Sequence, residues 1–269
     1  MKVTILGCGP SGGVPLVGGN WGVCDPTNPK NRRRRPSILI EADDFNLLVD
    51  TSPDLRDQLI DAGTGRVDAV LYTHEHADHV MGIDDLRGVW RATRRMIDVY
   101  AAADVLDSLT KRFAYIFEGN PDSDHDMYRA LCHGHVIDGA FTLGPFAQIL
   151  PLEQDHGICA SLGFRFGDFA YSTDVVRMSD ETLDALVGID TWVVDCLRNG
   201  AAHPTHANLD VVLGWVERVR PRRTILTHMN HDADYETLCQ ALPEGMEPAW
   251  DGLSFDITGR QGSAPKKLS

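Results

Sequence analysis

The sequence predicts an α/β fold in which two mixed β-sheets pack face to face with helices on the outer faces. Three observations predict it. Strand-like apolar runs precede and alternate with helical patterns along the chain, neither an internal repeat nor a low-complexity linker divides it, and the bunched histidines fall where strands run out. The 269 residues are 43% hydrophobic and 24% charged, which suits an ordinary globular chain and excludes a disordered or collagen-like one.

Taken in order, residues 2–6 form a short strand that opens into a Gly/Pro-rich loop reaching about Pro36. Residues 37–41 and 46–50 form two strands across the turn Ala42-Asp43-Asp44. Ser52 caps a helix with Pro53 at its first position, Leu55, Leu59 and Ile60 facing inward and Gly63 ending it. Residues 67–72 are a near-continuous apolar run, the mark of a strand buried on both faces, and lead directly to His74. Residues 83–93 and 104–117 carry helical spacing, and residues 141–150 return to strand character. Residues 162–166 and 169–172 make a hairpin across Gly167-Asp168. Ser179 or Asp180 starts a helix, and residues 191–195 are a strand. Asn208 caps a helix with Val211, Val212, Trp215, Val216 and Val219 on one side, stopped by Pro221. A strand over 224–227 ends at His228, and a last helix covers about 235–242. Residues 1–258 are expected to form one domain and 259–269 a loose tail.

No run approaches the roughly 18 apolar residues a transmembrane helix needs, and the apolar start is too short for a secretory signal. Six scattered cysteines without a Cys-x-x-Cys pair fit thiols in a reducing compartment, so a cytoplasmic location is expected. Lys and Arg number 25 against 39 Asp and Glu, a net charge of −14, which repels long nucleic acid and membrane phosphates alike. A small anionic substrate met by metal ions remains compatible with that charge.

Gly7-Cys8-Gly9-Pro10-Ser11-Gly12 matches a dinucleotide fingerprint in letters only. Such a site needs its third glycine to open a helix. Here Gly13, Pro15, Gly18, Gly19, Pro26 and Pro29 follow, and no amphipathic helix forms through them. The segment is expected to be a tight loop.

His74-Glu75-His76-Ala77-Asp78-His79 places four potential metal ligands in six residues. Imidazole nitrogen and carboxylate oxygen both bind borderline ions such as zinc at about 2.0–2.2 Å. Ligands this close point different ways and serve two neighbouring ions more easily than one, and a loop leaving a strand can fan them outward.

This motif resembles the H-x-H-x-D-H signature of the metallo-β-lactamase superfamily. Gln154-Asp155-His156-Gly157, Tyr171-Ser172-Thr173-Asp174 and Leu226-Thr227-His228 resemble its later motifs, in order. Within the superfamily the chain is similar to the PhnP-like phosphodiesterases, relatives of ribonuclease Z. The Gly-rich opening, Arg32-Arg33-Arg34-Arg35 followed by Ser37, and His206-Ala207-Asn208-Leu209 carry that likeness. The resemblance implies an αββα sandwich. It implies that His74, His76 and His156 hold one divalent metal, that Asp78, His79 and His228 hold a second, and that Asp174 bridges them. Seven N/O ligands and no thiolate suit Zn2+ or Mn2+. The implied catalytic residues are His206 and Asp78, with His206, Ser37 and Arg35 contacting substrate and Asp195 orienting a ligand histidine from behind. The implied reaction is attack of a metal-bound hydroxide on a small, phosphorylated or nucleotide ester, cyclic ones included, with His206 neutralising the leaving oxygen.

Alternatives are a thioester or lactam hydrolase of the same fold, a tRNA 3′-processing endonuclease, and a non-catalytic metal-binding protein. PhnP-like proteins often carry several cysteines in the first loop for a structural zinc. Here Cys24 stands there alone, with His231 three residues after His228, so that zinc is not expected in its usual form. His203 competes with His206 for the acid role, and the oligomeric state, a homodimer included, is left open by the sequence.

Overall fold

The computed structural model describes residues 1–120 and 129–258; the tail expected over 259–269 lies outside the described residues. The strands in chain order are β1 (Lys2–Gly7), β2 (Ser37–Ala42), β3 (Phe45–Val49), β4 (Ala69–Leu71), β5 (Ile97–Ala101), β6 (Cys132–Val136) and β7 (Phe141–Leu143). Then follow β8 (Phe146–Asp155), β9 (Ala160–Phe166), β10 (Phe169–Ser172), β11 (Thr191–Asp195), β12 (Arg223–Thr227), β13 (Met246–Pro248) and β14 (Ser254–Asp256). The helices are α1 (Leu55–Asp61), α2 (Ala77–Val80), α3 (Leu86–Thr93), α4 (Ala103–Arg112), α5 (Ala114–Phe117), α6 (Asp180–Leu186), α7 (Leu209–Val219) and α8 (Tyr235–Ala241).

One seven-stranded sheet runs β14-β1-β2-β3-β4-β5-β6 and the other β13-β12-β11-β10-β9-β8-β7. The strand period of two explains how both pack. Along β1 to β3, Val3, Ile5, Ile38, Ile40, Leu47 and Val49 face the second sheet and meet Phe164, Phe166, Phe169 and Trp192 in the main core. The alternate residues Leu6, Leu39 and Leu48 face the other way, against Leu55, Leu59, Leu86, Trp90 and Leu109 of the flanking helices. Each such side chain contributes about 1.5–3 kcal/mol by leaving water. The expected two-sheet sandwich between helices is therefore the observed fold, and among the described residues no helix is long and apolar enough to cross a membrane.

Strands β3 to β6 run parallel to one another, as do β10 to β13. Parallel strands align their carboxyl ends, and loops leaving those ends are where α/β sheets build sites. Asp50, His74, Asp174, Asp195 and His228 all lie at or just beyond such ends.

The structure corrects several local expectations. Helix α1 begins at Leu55 rather than Pro53, because the Ser52 hydroxyl is drawn inward: it donates to Gln58 Oε1 at 2.9 Å and accepts the Asp54 N–H at 3.1 Å. Ile60 is 59% exposed instead of inward, and Val211 also faces solvent. The 104–117 helix breaks at Phe113, whose backbone is not helical (φ −125°, ψ 39°). The 141–150 strand is two strands turning at Gly144 (φ 53°), where any Cβ would collide with the Phe45 ring. Asp78 and His79 sit in the one-turn helix α2 rather than in a loop. Strands β5, β6, β13 and β14 were not expected; they extend both sheets to their edges.

Candidate metal centre

Short strands deliver the ligands. β4 ends at Leu71, and the following Thr73-His74-Glu75-His76 runs into α2, which presents Asp78 and His79. His156 occupies the turn between β8 and β9, Asp174 follows β10 and His228 follows β12. Asp174 and His228 both adopt left-handed backbone (φ 53° and 59°), which sharply redirects the chain as each strand ends.

Four triads of ligand atoms, each mutually within 4.8 Å, result: His74, His76 and His156; His74, His79 and Asp174; Asp78, Asp174 and His228; and His156, Asp174 and His206. All seven residues expected as ligands are thus brought together, with Asp174 central. Its Oδ2 is 3.1 Å from His79 Nε2 and 3.3 Å from His228 Nδ1, and its Oδ1 is 3.6 Å from His156 Nε2. His76 Nδ1 lies 2.9 Å from His74 Nε2 and 3.3 Å from His156 Nε2.

The surroundings fix which nitrogen faces inward. Nδ1 of His79 bonds Asp50 Oδ2 at 2.7 Å, Nδ1 of His156 donates to the Thr205 carbonyl at 2.7 Å, and Nδ1 of His74 meets Thr73 Oγ1 at 3.0 Å. Each leaves Nε2 for the cluster, the arrangement by which outer partners orient metal-binding imidazoles. Nε2 of His79 is buried without a hydrogen-bond partner, with Asp174 Oδ2 3.1 Å and Asp78 Oδ2 3.4 Å away. Burial pushes the pKa values of His74, His156 and His228 down, favouring the neutral, lone-pair-bearing form that coordinates. At His79 burial also acts downward, but Asp174, Asp50 and Asp78 outweigh it and hold the pKa well above the ordinary range. Burial opposes ionisation of Asp174, yet His228 and His79 hold it well below the usual carboxylate range. An orphaned nitrogen beside the Asp174 and Asp78 carboxylates is a place for a cation, and this N/O donor set fits divalent metal.

Asp50 was not anticipated. It is fully buried, accepts from Thr73 N and Thr73 Oγ1 (both 2.9 Å) as well as bonding His79, and stands at the end of an apolar strand just as Asp195 does. That position was its one sequence signal.

Asp195 holds His206 rather than a ligand of the expected metal set, a correction to its anticipated partner. Asp195 Oδ2 is 2.8 Å from His206 Nδ1 and accepts Val175 N at 3.0 Å. The His206 ring stacks on His228 at 4.6 Å and lies 4.8 Å from His156. Burial lowers its pKa, but the Asp195 charge and hydrogen bond override this and raise it to about 9. His203 lies 5.3 Å from His206, its Nδ1 engaged by Thr205 Oγ1.

One expected substrate contact is overturned. Ser37 is wholly buried, its hydroxyl donating to the Val49 and Asp50 carbonyls, so it has no surface to offer a substrate. Arg35 pairs with Asp54 at 2.9 Å and keeps about 30% of its side chain exposed. In the rest of the basic run, Arg34 pairs with Asp61, Arg32 is exposed over Trp21, and Arg33 is buried against the Asn230 and Ala233 carbonyls. Cys24 is buried, its Sγ 3.6 Å from the His231 carbonyl.

A metal-ligand cluster at the carboxyl ends of an αββα sandwich defines a class of metal-dependent hydrolase folds, and the chain belongs to it: the family described as the beta-lactamase superfamily domain matches residues 45–229. More particularly, the fold superposes on a crystal structure of a diphosphatase from the PhnP family with 35% identity and a TM-score of 0.85, covering 94% of this chain and 96% of that one. The zinc-bound PqqB of Methylobacterium extorquens shares the fold (19% identity, TM-score 0.75, 96% of this chain and 100% of that one). Among curated sequences the chain is 34% identical over 260 residues to an octanoyltransferase of Porphyromonas gingivalis, covering 96% of this chain and 52% of the relative. It is 31% identical over 144 residues to a ribonuclease Z of Bradyrhizobium sp., covering 51% of this chain and 46% of that protein. The chain spans about half the length of the curated relatives it matches.

Proposed function

We propose that the chain is a phosphodiesterase with two divalent metal ions, Zn2+ or Mn2+, acting on small nucleotide or phosphorylated-sugar esters, cyclic ones included. The observation that carries this reading is His206, an imidazole held by the buried Asp195 carboxylate at 2.8 Å and stacked beside the cluster. Cleaving a phosphodiester expels an alkoxide that needs a proton, whereas a site that only stored metal would have no use for a positioned acid. The diphosphatase name of the PhnP-family neighbour supports phosphorus chemistry.

In this reading His74, His76 and His156 would hold one ion and Asp78, His79 and His228 the other, with Asp174 between the two groups. Such ions would supply Lewis-acid polarisation of phosphoryl oxygens and an acidified water. The chain's own residues do the rest. Asp195 keeps the His206 Nδ1 proton in place, so that Nε2 carries the proton given to the leaving oxygen. Asp50 holds His79 in the tautomer that turns Nε2 inward. With net charge −14, small substrates are favoured over long nucleic acid.

Acyl chemistry is the second reading, favoured by the octanoyltransferase relative; but the chain spans only 52% of that protein, so its name need not describe the matched part. The test is the purified chain with Zn2+ or Mn2+ against bis-p-nitrophenyl phosphate, a 2′,3′-cyclic nucleotide, a thioester and a chromogenic cephalosporin. Turnover of the phosphodiesters is expected. Turnover of the thioester or cephalosporin alone overturns the proposal.

A further inference from the structure

Edge strand β6 reads Cys132-His133-Gly134-His135-Val136, and the strand period puts both histidines on one face. Gly134 faces oppositely, since a Cβ there would meet Leu106 of α4 at 2.9 Å. The imidazoles therefore stand on the side turned from α4. On neighbouring β5, Asp98 is in register with His133 and Tyr100 with His135.

His135 is held as ligand histidines are held. Its Nε2 is 2.8 Å from Asp98 Oδ1, its ring stacks on Tyr100 at 4.6 Å and 17°, and Phe141 stacks on Tyr100 in turn. That leaves Nδ1. The same carboxylate-to-imidazole contact fixes His79 through Asp50 at 2.7 Å. The His133 and His135 ring centroids are 6.3 Å apart, close to the 6.0 Å between His79 and His228 in the principal cluster. His133 is exposed, its ring edge-on to that of His135, so a change of side-chain rotamer can bring it toward a shared ion.

We infer that His133 and His135 form a further metal site on the edge of the first sheet, chelating a borderline divalent ion of the Ni2+, Cu2+ or Zn2+ class, with Asp98 orienting His135 from behind. Imidazole suits these ions, and the affinity order of first-row metals places Ni2+ and Cu2+ well above Mn2+. Two protein ligands leave the remaining positions to water, so this site binds more weakly than the principal cluster.

The test is equilibrium dialysis against Ni2+ of the full chain carrying only two equivalents of zinc, which the stronger principal cluster takes, with nickel and zinc both counted by elemental analysis. The wild-type protein is expected to take up about one additional nickel while keeping its zinc. His133→Ala and His135→Ala should each abolish that uptake, and Asp98→Ala should weaken it about 10–100-fold. Retained zinc and an unchanged thermal midpoint show that the variants fold. Three results overturn the inference: no nickel uptake by the wild type, undiminished uptake by the H133A/H135A double variant, or uptake matched by equal release of zinc.

Discussion

Asp195 and His206 are joined through a 2.8 Å contact between Oδ2 and Nδ1, and the same carboxylate oxygen accepts the Val175 N–H, three residues beyond the β10 end. Val175 immediately follows Asp174, so one carboxylate ties the acid candidate to the central ligand of the cluster. Asp195 is fully buried and the His206 side chain is 11% exposed, so solvent screens the pair only weakly.

Asp195→Asn keeps the size of the side chain and removes its charge. An amide in its place leaves the His206 tautomer unspecified and no longer favours the cation. Diester turnover should fall about 10²–10⁴-fold, the span expected for losing a general acid, with metal content unchanged. His206→Ala should produce a similar loss, and the double variant should be no worse than either, since the two act as a unit. Rates and elemental analysis together check this; additive losses would separate the two residues.

Asp50 makes a different prediction. It touches His79 and Thr73 but no expected substrate. Asp50→Ala should weaken metal retention about 10–100-fold, as loss of an outer-shell partner does. Competition with a chromogenic chelator measures this. Excess metal should restore much of the turnover, which it cannot do for Asp195→Asn.

The sequence makes the near-contiguous part of the centre readable, because His74 to His79 lie within one loop and α2, and because His156, Asp174 and His228 each follow a strand. What escaped depends on contacts between distant segments. Asp50 meets a histidine 29 positions away. Ser37 sits in a motif-like setting, but burial decides its role, and that is not encoded locally. The central strands were legible from unbroken apolar runs. The three-residue strands β13 and β14 exist because sheet edges offered pairing to them, which no window of sequence registers.

Stability against pH turns on Asp251, whose Oδ1 accepts Cys8 N at 3.1 Å and whose Oδ2 accepts Arg34 N at 2.7 Å. Burial pushes its pKa from 3.8 to about 6. Between those values the folded chain holds this proton more tightly than the unfolded chain does. The stability so contributed is complete below about pH 4 and is lost as pH rises through about 6, with a span on the order of 3 kcal/mol. Asp251→Asn cannot titrate. Urea unfolding of both proteins from pH 4 to 7.5 should show the wild type losing stability relative to the variant as pH rises. A difference that is constant with pH would refute the assignment.

The arginine run supplies a contrast within two neighbours. Arg33 is 2% exposed, and its guanidinium donates to the carbonyls of Asn230 at 2.9 Å and Ala233 at 2.7 Å, in the loop that follows His228. Arg33→Ala strands two buried carbonyls and opens a void, which should cost about 2–5 kcal/mol. Arg33→Lys should recover only part, because an ammonium lacks the planar fork that reaches both acceptors. Arg32, exposed over the Trp21 ring at 5.5 Å, should cost no more than about 1 kcal/mol when changed to Ala. Because the Asn230 to Ala233 loop begins two residues after His228, Arg33→Ala should also release metal at chelator concentrations that leave Arg32→Ala loaded. Denaturant midpoints and retained metal, measured on the two variants side by side, decide it: equal losses would place Arg33 on the surface with its neighbour.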